Sequence, residues 1–151
     1  MPMNPLRLLA PPAHTWQLLG WNVAGSDDLR TIRTAIQHHF AATHPGQDQL
    51  AQQIALVATE LAGNALRHGL PPVTVKLLRD QDCYVLQVND RDPDRAPHRA
   101  SRQHHRGGGR GLRIVDTLAE QLCWHPTVDG KSVWASFPVP KDGTGPVTES
   151  V

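Results

Sequence analysis

Apolar side chains recur at steps of three or four in three parts of the chain. This spacing places each set on one face of a helix. The sets are Leu29, Ile32, Ile36 and Phe40; Leu50, Ile54, Val57 and Leu61; and Leu112, Val115, Leu118 and Leu122. The pattern therefore predicts three amphipathic helices. The second ends at Gly69, because Pro71 and Pro72 follow it.

Shorter runs between these helices are typical of strands. The predicted strands are Trp16–Val23, residues 73–78, residues 83–90, residues 122–128 and residues 131–139. Residues 79–82 and the pair Asp129-Gly130 are the predicted hairpin turns. The fold class predicted is α/β: a two-layer sandwich whose mixed sheet of about five strands carries about three helices on one face.

Length and composition add a domain organisation to this pattern. A chain of 151 residues with 39% hydrophobic content fits one domain with a buried core. The first thirteen residues contain four prolines, and the last eleven are rich in turn formers. We therefore expect disordered tails at residues 1–13 and 141–151, and a domain at residues 14–140.

Charge and motif spacing exclude several classes of function. The net charge of +1 argues against a nucleic-acid ligand, and neither a P-loop nor a zinc-ligand spacing occurs among the nine histidines and two cysteines. The apolar run near the N-terminus is too short for a signal peptide or membrane span. We expect a cytoplasmic protein that contacts no membrane and keeps both cysteines reduced.

The second predicted helix carries two polar side chains close to its apolar stripe. Glu60 and Asn64 lie four residues apart, so they stack on the same side of the helix. At about 100° per residue, Asn64 falls within about 40° of the centre of the apolar stripe. An amide so placed needs a hydrogen-bond partner. An ordinary capped amphipathic helix accounts for the same spacing, so this stretch alone leaves both interpretations open.

Asp90 lies at the end of a predicted strand, just before a loop. Period two places it on the face of Tyr84, Leu86 and Val88, toward the core. One interpretation is a turn aspartate that opens the following loop. The other is a buried acceptor for an amino group on a flat heterocycle.

Glycines at 107, 108, 109 and 111 precede the third predicted helix. Backbone amides at such a helix N-terminus can cradle phosphates. A flexible hinge before an ordinary helix explains the same glycines.

Three stretches in this order resemble one family. They are E-L-x-x-N-A-x-R-H at residues 60–68, V-N-D-x-D-P at residues 88–93 and G-R-G-L-x-I-V at residues 109–115. Together they resemble the GHKL (Bergerat-fold, histidine kinase-like) ATP-binding domains. The likeness is closest to the small anti-sigma-factor serine/threonine kinases of the actinobacterial regulatory type. The resemblance implies ATP and Mg²⁺ as cofactors.

The resemblance also implies residue roles. Asn64 would bind the Mg²⁺, and Glu60 would be the catalytic residue that orients a water or acts as general base. Arg67 would reach a phosphate, and Asp90 would accept the adenine amino group.

The third stretch would bind the phosphates. Gly109 and Gly111 would let the backbone approach them, Arg110 would pair with phosphate oxygens, and Leu112 belongs to the same nucleotide-binding motif. Residues 93–108 would form a lid. Asp92 stands where the family often has glycine, which changes the loop after Asp90.

Two functions follow from the resemblance. The first is an ATP-binding anti-sigma-factor-like kinase that phosphorylates a serine or threonine of an anti-anti-sigma-like partner and binds a sigma factor, with a homodimer left open. The alternative is a non-catalytic ATP-binding interaction module. A scaffold without a ligand would leave the polar placements without partners. Because the chain lacks room for a phosphoacceptor helix pair, we do not expect a sensor histidine kinase.

Overall fold

The structure, a computed structural model, describes residues 6–94 and 108–141, and for residues 108–111 it describes the backbone alone. The elements in chain order are β1 (Arg7–Leu8), β2 (Trp16–Val23), α1 (Ser26–Thr43), α2 (Asp48–His68), β3 (Val73–Arg79), β4 (Cys83–Asp90), α3 (Gly108–Leu118), β5 (Gln121–Pro126) and β6 (Lys131–Pro138).

One sheet of six strands, in the order β1-β5-β6-β4-β3-β2, forms the first layer. The pair β1–β5 is parallel and the other four pairs are antiparallel, so the sheet is mixed. The three helices contribute to one hydrophobic core with a single face of the sheet. The predicted two-layer α/β sandwich is confirmed, with one strand more than expected.

The predicted apolar rows fill this core. Ile32, Ile36 and Phe40 of α1 and Ile54, Val57 and Leu61 of α2 are buried. The facing strand residues are Tyr84, Leu86 and Val88 of β4 and Val133, Ala135 and Phe137 of β6. Their side chains alternate with residues that point to the opposite face, as period two requires.

Local hydrogen bonds set the helix ends. The Asp28 carboxylate accepts the N–H groups of Ala24 (2.8 Å) and Gly25 (3.2 Å) at the start of α1. These two bonds lower the pKa of Asp28. At the C-terminus of α2, the Gly69 N–H donates to Ala65 O over 2.8 Å. The helix ends at Gly69, as the sequence predicted.

The β5–β6 connection differs from the predicted Asp129-Gly130 turn. β5 ends at Pro126, and the loop has four residues. The Thr127 N–H donates to Gly130 O (2.8 Å), and the Gly130 N–H donates to Thr127 Oγ1 (3.0 Å). The threonine side chain closes the loop, which a dipeptide signal does not reveal.

The prediction of a disordered tail at residues 1–13 is wrong for residues 6–13. Leu6 is 3% exposed, and β1 pairs with β5. The Leu9 carbonyl accepts the indole N–H of Trp134 over 2.9 Å. Trp134 belongs to a second apolar cluster, with Val85 and Cys123, on the sheet face away from the helices. Prolines at 11 and 12 lack the N–H that a longer strand would need, so the segment leaves the ladder after Leu9. The predicted tail at residues 141–151 lies outside the described residues beyond Lys141.

Both cysteines are free thiols. Burial, together with the Asp80 carboxylate, raises the pKa of Cys83 to about 11. Among residues 6–94 and 108–141, no helix is both long and apolar enough to cross a membrane.

The N-terminal packing predicts different effects of two tryptophan substitutions. Trp134→Phe removes the donor to Leu9 O and leaves space in the second cluster, so we expect a loss of about 1–3 kcal/mol in the free energy of unfolding. Trp16→Phe, at a side chain 48% exposed, should change it by less than about 0.5 kcal/mol. Urea denaturation measures both. Equal effects would show that Leu9 does not bind Trp134.

Candidate functional site

The helix α2 presents two polar side chains near its C-terminal end. Glu60 and Asn64 are both half-buried and lie one turn apart. Within the part of the chain that the structure describes, neither side chain is held by a hydrogen bond or ion pair. The residues around them, Leu61, Ala62 and Ala65, are packed in the core. Two polar groups therefore stand at the core margin with their bonding capacity unused.

Arg67 extends the same end of α2. It lies in the last turn and is exposed. A guanidinium in this position is free to turn toward an anion, because long cationic side chains keep their charged ends in water. It lies one turn past Asn64 on the same helix.

Gly69 brings the end of α2 against Asp90. A Cβ at position 69 would lie 2.5 Å from Asp90 Oδ2 and 2.9 Å from Ala65 O. The next residue holds the same junction, because the Arg91 N–H donates to Leu70 O over 2.8 Å. The helix bearing Asn64 and the strand ending in Asp90 thus meet at one corner of the fold. The sequence analysis named Asn64 and Asp90 as candidate site residues, but it did not predict that Gly69 allows this contact.

Asp90 is buried, as its row predicted, with 5% of the residue exposed. Its partner is Lys131, the first residue of β6 and its register neighbour. The Lys131 Nζ lies 3.1 Å from Oδ1 and 3.0 Å from Oδ2. The side chains are 6% exposed for the lysine and 3% for the aspartate. Asp90 is therefore one half of a buried ion pair.

Sequence reasoning missed Lys131, although a signal was present. Val133, Ala135 and Phe137 alternate along the last predicted strand, and one further step of two toward the N-terminus is Lys131. A lysine in phase with a core row requires a buried partner of opposite charge. The sequence alone does not show which acidic residue meets this requirement; the register of β4 and β6 shows that it is Asp90.

Asp92 joins the same network. Its N–H donates to Asp90 Oδ1 over 2.8 Å, and its carbonyl accepts from Lys131 Nζ over 3.3 Å. Its own carboxylate accepts the Asp94 N–H over 3.1 Å. Hydrogen bonds from an aspartate to the backbone two residues later shape turns without glycine. This residue, which stands where the family often has glycine, therefore builds an ordered path for residues 90–94.

The helix α3 starts inside the glycine run. Gly108 is its first residue, so Gly109 and Gly111 lie within the first turn and do not precede the helix. The first four N–H groups of a helix have no partner within it and can bind phosphate oxygens. Leu112 is 2% exposed and belongs to the core, which fixes this end of α3 against α2.

Parts of the predicted site lie outside the described residues. They are the Arg110 side chain and residues 95–107, which contain most of the predicted lid.

The residues present fit a nucleotide with a magnesium ion. Among the described residues, no group of three or more histidine, cysteine or acidic side chains could hold a metal by itself. Mg²⁺ is usually bound by one or two protein oxygens together with substrate phosphates. An amide oxygen such as that of Asn64, which has no partner among the described residues, is a ligand of this kind. The backbone N–H groups at the start of α3 are of the kind that binds phosphate.

Comparison with known protein families agrees with this geometry. The family described as the histidine kinase-like ATPase domain matches residues 23–137, which run from the last residue of β2 into β6. No curated protein matches the chain significantly. The chain therefore belongs to the histidine kinase-like ATPase domain family, and its domain is an ATP-binding, kinase-like one.

The junction between α2 and β4 predicts opposite outcomes for two glycine substitutions. Gly69→Ala would press on Asp90 Oδ2 and Ala65 O, so we expect it to lower the free energy of unfolding by about 1–3 kcal/mol. Gly63→Ala meets only Arg67 Nη1 at 3.4 Å and Leu29 Cδ1 at 3.8 Å. Because alanine favours helix, this variant should gain up to about 1 kcal/mol. Thermal unfolding followed by circular dichroism compares them. A Gly69→Ala protein as stable as the wild type would refute the close contact with Asp90.

Proposed function

We propose that this protein is a Mg-ATP-dependent serine/threonine kinase of the anti-sigma-factor type, acting on an anti-anti-sigma-like partner. The observation that carries the proposal is the pair Glu60 and Asn64. They lie one turn apart on α2, unengaged within the described chain, at the end of the helix that meets Asp90. A carboxylate beside a metal-binding amide is an arrangement that supports phosphoryl transfer to a hydroxyl.

Different groups at this corner bind the base, the metal and the phosphates. Asp90 accepts the amino group of the base, the Asn64 amide oxygen binds the metal, and Arg67 donates to a phosphate oxygen. The backbone N–H groups at the start of α3 bind further phosphate oxygens. Bound Mg-ATP supplies the phosphoryl group that is transferred.

Glu60 acts on the acceptor hydroxyl. A serine or threonine hydroxyl must lose its proton as it attacks, and a positioned carboxylate can accept that proton. Glu60 is half-buried, so it is reachable from solvent and from a docked partner. The partner class rests on the resemblance of the three motifs to kinases of this type.

A second candidate is a non-catalytic ATP-binding module, and one observation favours it. Lys131 bonds both to the Asp90 carboxylate and to the Asp92 carbonyl. It thus links the base-binding residue to the start of the loop that follows β4. A nucleotide that displaced this link would shift residues 91–94 without any transfer, and a partner could recognise that shift.

Substitutions of the two α2 residues separate the candidates. Asn64→Ala removes an oxygen ligand of Mg²⁺, so it should weaken Mg-ATP binding and abolish transfer. Glu60→Gln keeps size and hydrogen bonding but loses basicity, so binding should persist while transfer falls by about 10²–10⁴-fold. The assays are ATP titration and transfer of labelled phosphate to the partner.

Two exposed positions provide matched controls. Gln52→Ala on α2 and Glu120→Gln before β5 change the same chemical groups away from the corner, and both should behave as wild type. A wild type that binds ATP but transfers nothing, and that Glu60→Gln does not alter, would favour the non-catalytic module.

A further inference from the structure

The helix-facing row shared by β4 and β6 is apolar except at its last register pair. Tyr84 lies opposite Phe137, Leu86 opposite Ala135 and Val88 opposite Val133. The final pair is Asp90 and Lys131. A charged pair therefore occupies the position of an apolar pair at the corner where the adenine base would bind.

Stability alone does not account for this replacement. The two side chains are 3% and 6% exposed, so both charges are removed from water. Replacing such a buried pair by apolar residues of similar volume is often neutral or stabilising. The rest of the row shows that apolar pairs pack well here. A requirement other than packing therefore accounts for the charges.

The hydrogen bonds of the pair leave part of its bonding capacity unused. A carboxylate has about four acceptor sites. Oδ1 accepts from the Asp92 N–H and from Lys131, and Oδ2 accepts from Lys131. By this count one acceptor site on Oδ2 remains, beside Gly69. The ammonium has three N–H groups, and its longest contact is to Asp92 O at 3.3 Å. This contact is the one that can be exchanged for a better acceptor.

The Watson–Crick edge of adenine is complementary to such a pair. It presents an amino donor next to the ring nitrogen N1, which is an acceptor. We propose that Lys131 is a specificity-determining residue whose ammonium donates to N1 of adenine while Asp90 accepts from the adjacent amino group. The inference rests on the proposed binding of ATP and assigns to this chain a base contact made by Lys131.

Guanine mismatches both members in the same orientation. Its carbonyl oxygen would face the Asp90 carboxylate, and its N1–H would face the Lys131 ammonium. An acceptor would then meet an acceptor, and a donor a donor. The ion pair therefore rejects guanine at two positions, whereas an isolated carboxylate would reject it at one.

Two ATP analogues test the contact directly by calorimetric titration. In 1-deaza-ATP a CH group replaces N1, and purine riboside triphosphate lacks the amino group. The wild type should bind 1-deaza-ATP about 10- to 100-fold more weakly than ATP, the loss expected for a charge-assisted hydrogen bond. In Lys131→Met the two affinities should be equal. Asp90→Asn should reduce the discrimination against purine riboside triphosphate.

The control is Lys76→Met, which removes an exposed lysine on β3 and should keep the wild-type ratio. A wild type that binds ATP and 1-deaza-ATP equally would overturn the inference while leaving ATP binding intact, even if Lys131→Met failed to fold. Tighter ATP binding by Lys131→Met would show that the lysine competes with the base, which also overturns it. A wild type that binds no ATP would overturn the proposed function and this inference together.

Discussion

The buried ion pair between Asp90 and Lys131 is the interaction on which the candidate site depends. It joins the end of β4 to the start of β6, and Asp92 ties the following loop to the same two side chains. Gly69 lets the end of α2 approach the Asp90 carboxylate. Removing either charge would leave the other buried without its partner, a far larger penalty than the loss of an exposed ion pair. The corner is therefore held by electrostatics at the edge of an otherwise apolar core.

The apolar core places the remaining groups around this corner. Ile54, Val57 and Leu61 pack α2 against the sheet. Glu60 and Asn64 then lie at the core margin, with polar atoms that have no partner among residues 6–94 and 112–141. Leu112 anchors the first turn of α3 against the same core, so its backbone N–H groups are held by packing. Packing thus supplies rigidity, and the polar groups that a nucleotide needs lie at the ends of elements.

The spacing of apolar residues in the sequence predicts much of this arrangement, but it does not predict the contacts between distant parts of the chain. Steps of three and four placed α1 and α2, and a step of two placed Asp90 on the helix-facing row. Its partner depends on the register of β4 and β6, strands that lie far apart in the sequence, so no local pattern contains the pair. The ordering of Leu6 and Leu9 was missed for a similar reason. It depends on Trp134 and on pairing with β5, while the nearby prolines indicated only the absence of a long strand.

Calorimetric titration of the wild-type protein with ATP, in the presence and absence of Mg²⁺, tests most directly whether this corner binds a nucleotide. We expect a saturable heat with one site per chain, and tighter binding when Mg²⁺ is present, because the Asn64 amide then has a metal to bind. Absence of heat at the highest ATP concentration, with a thermal unfolding midpoint unchanged by the nucleotide, would contradict the assignment of this corner as a nucleotide site.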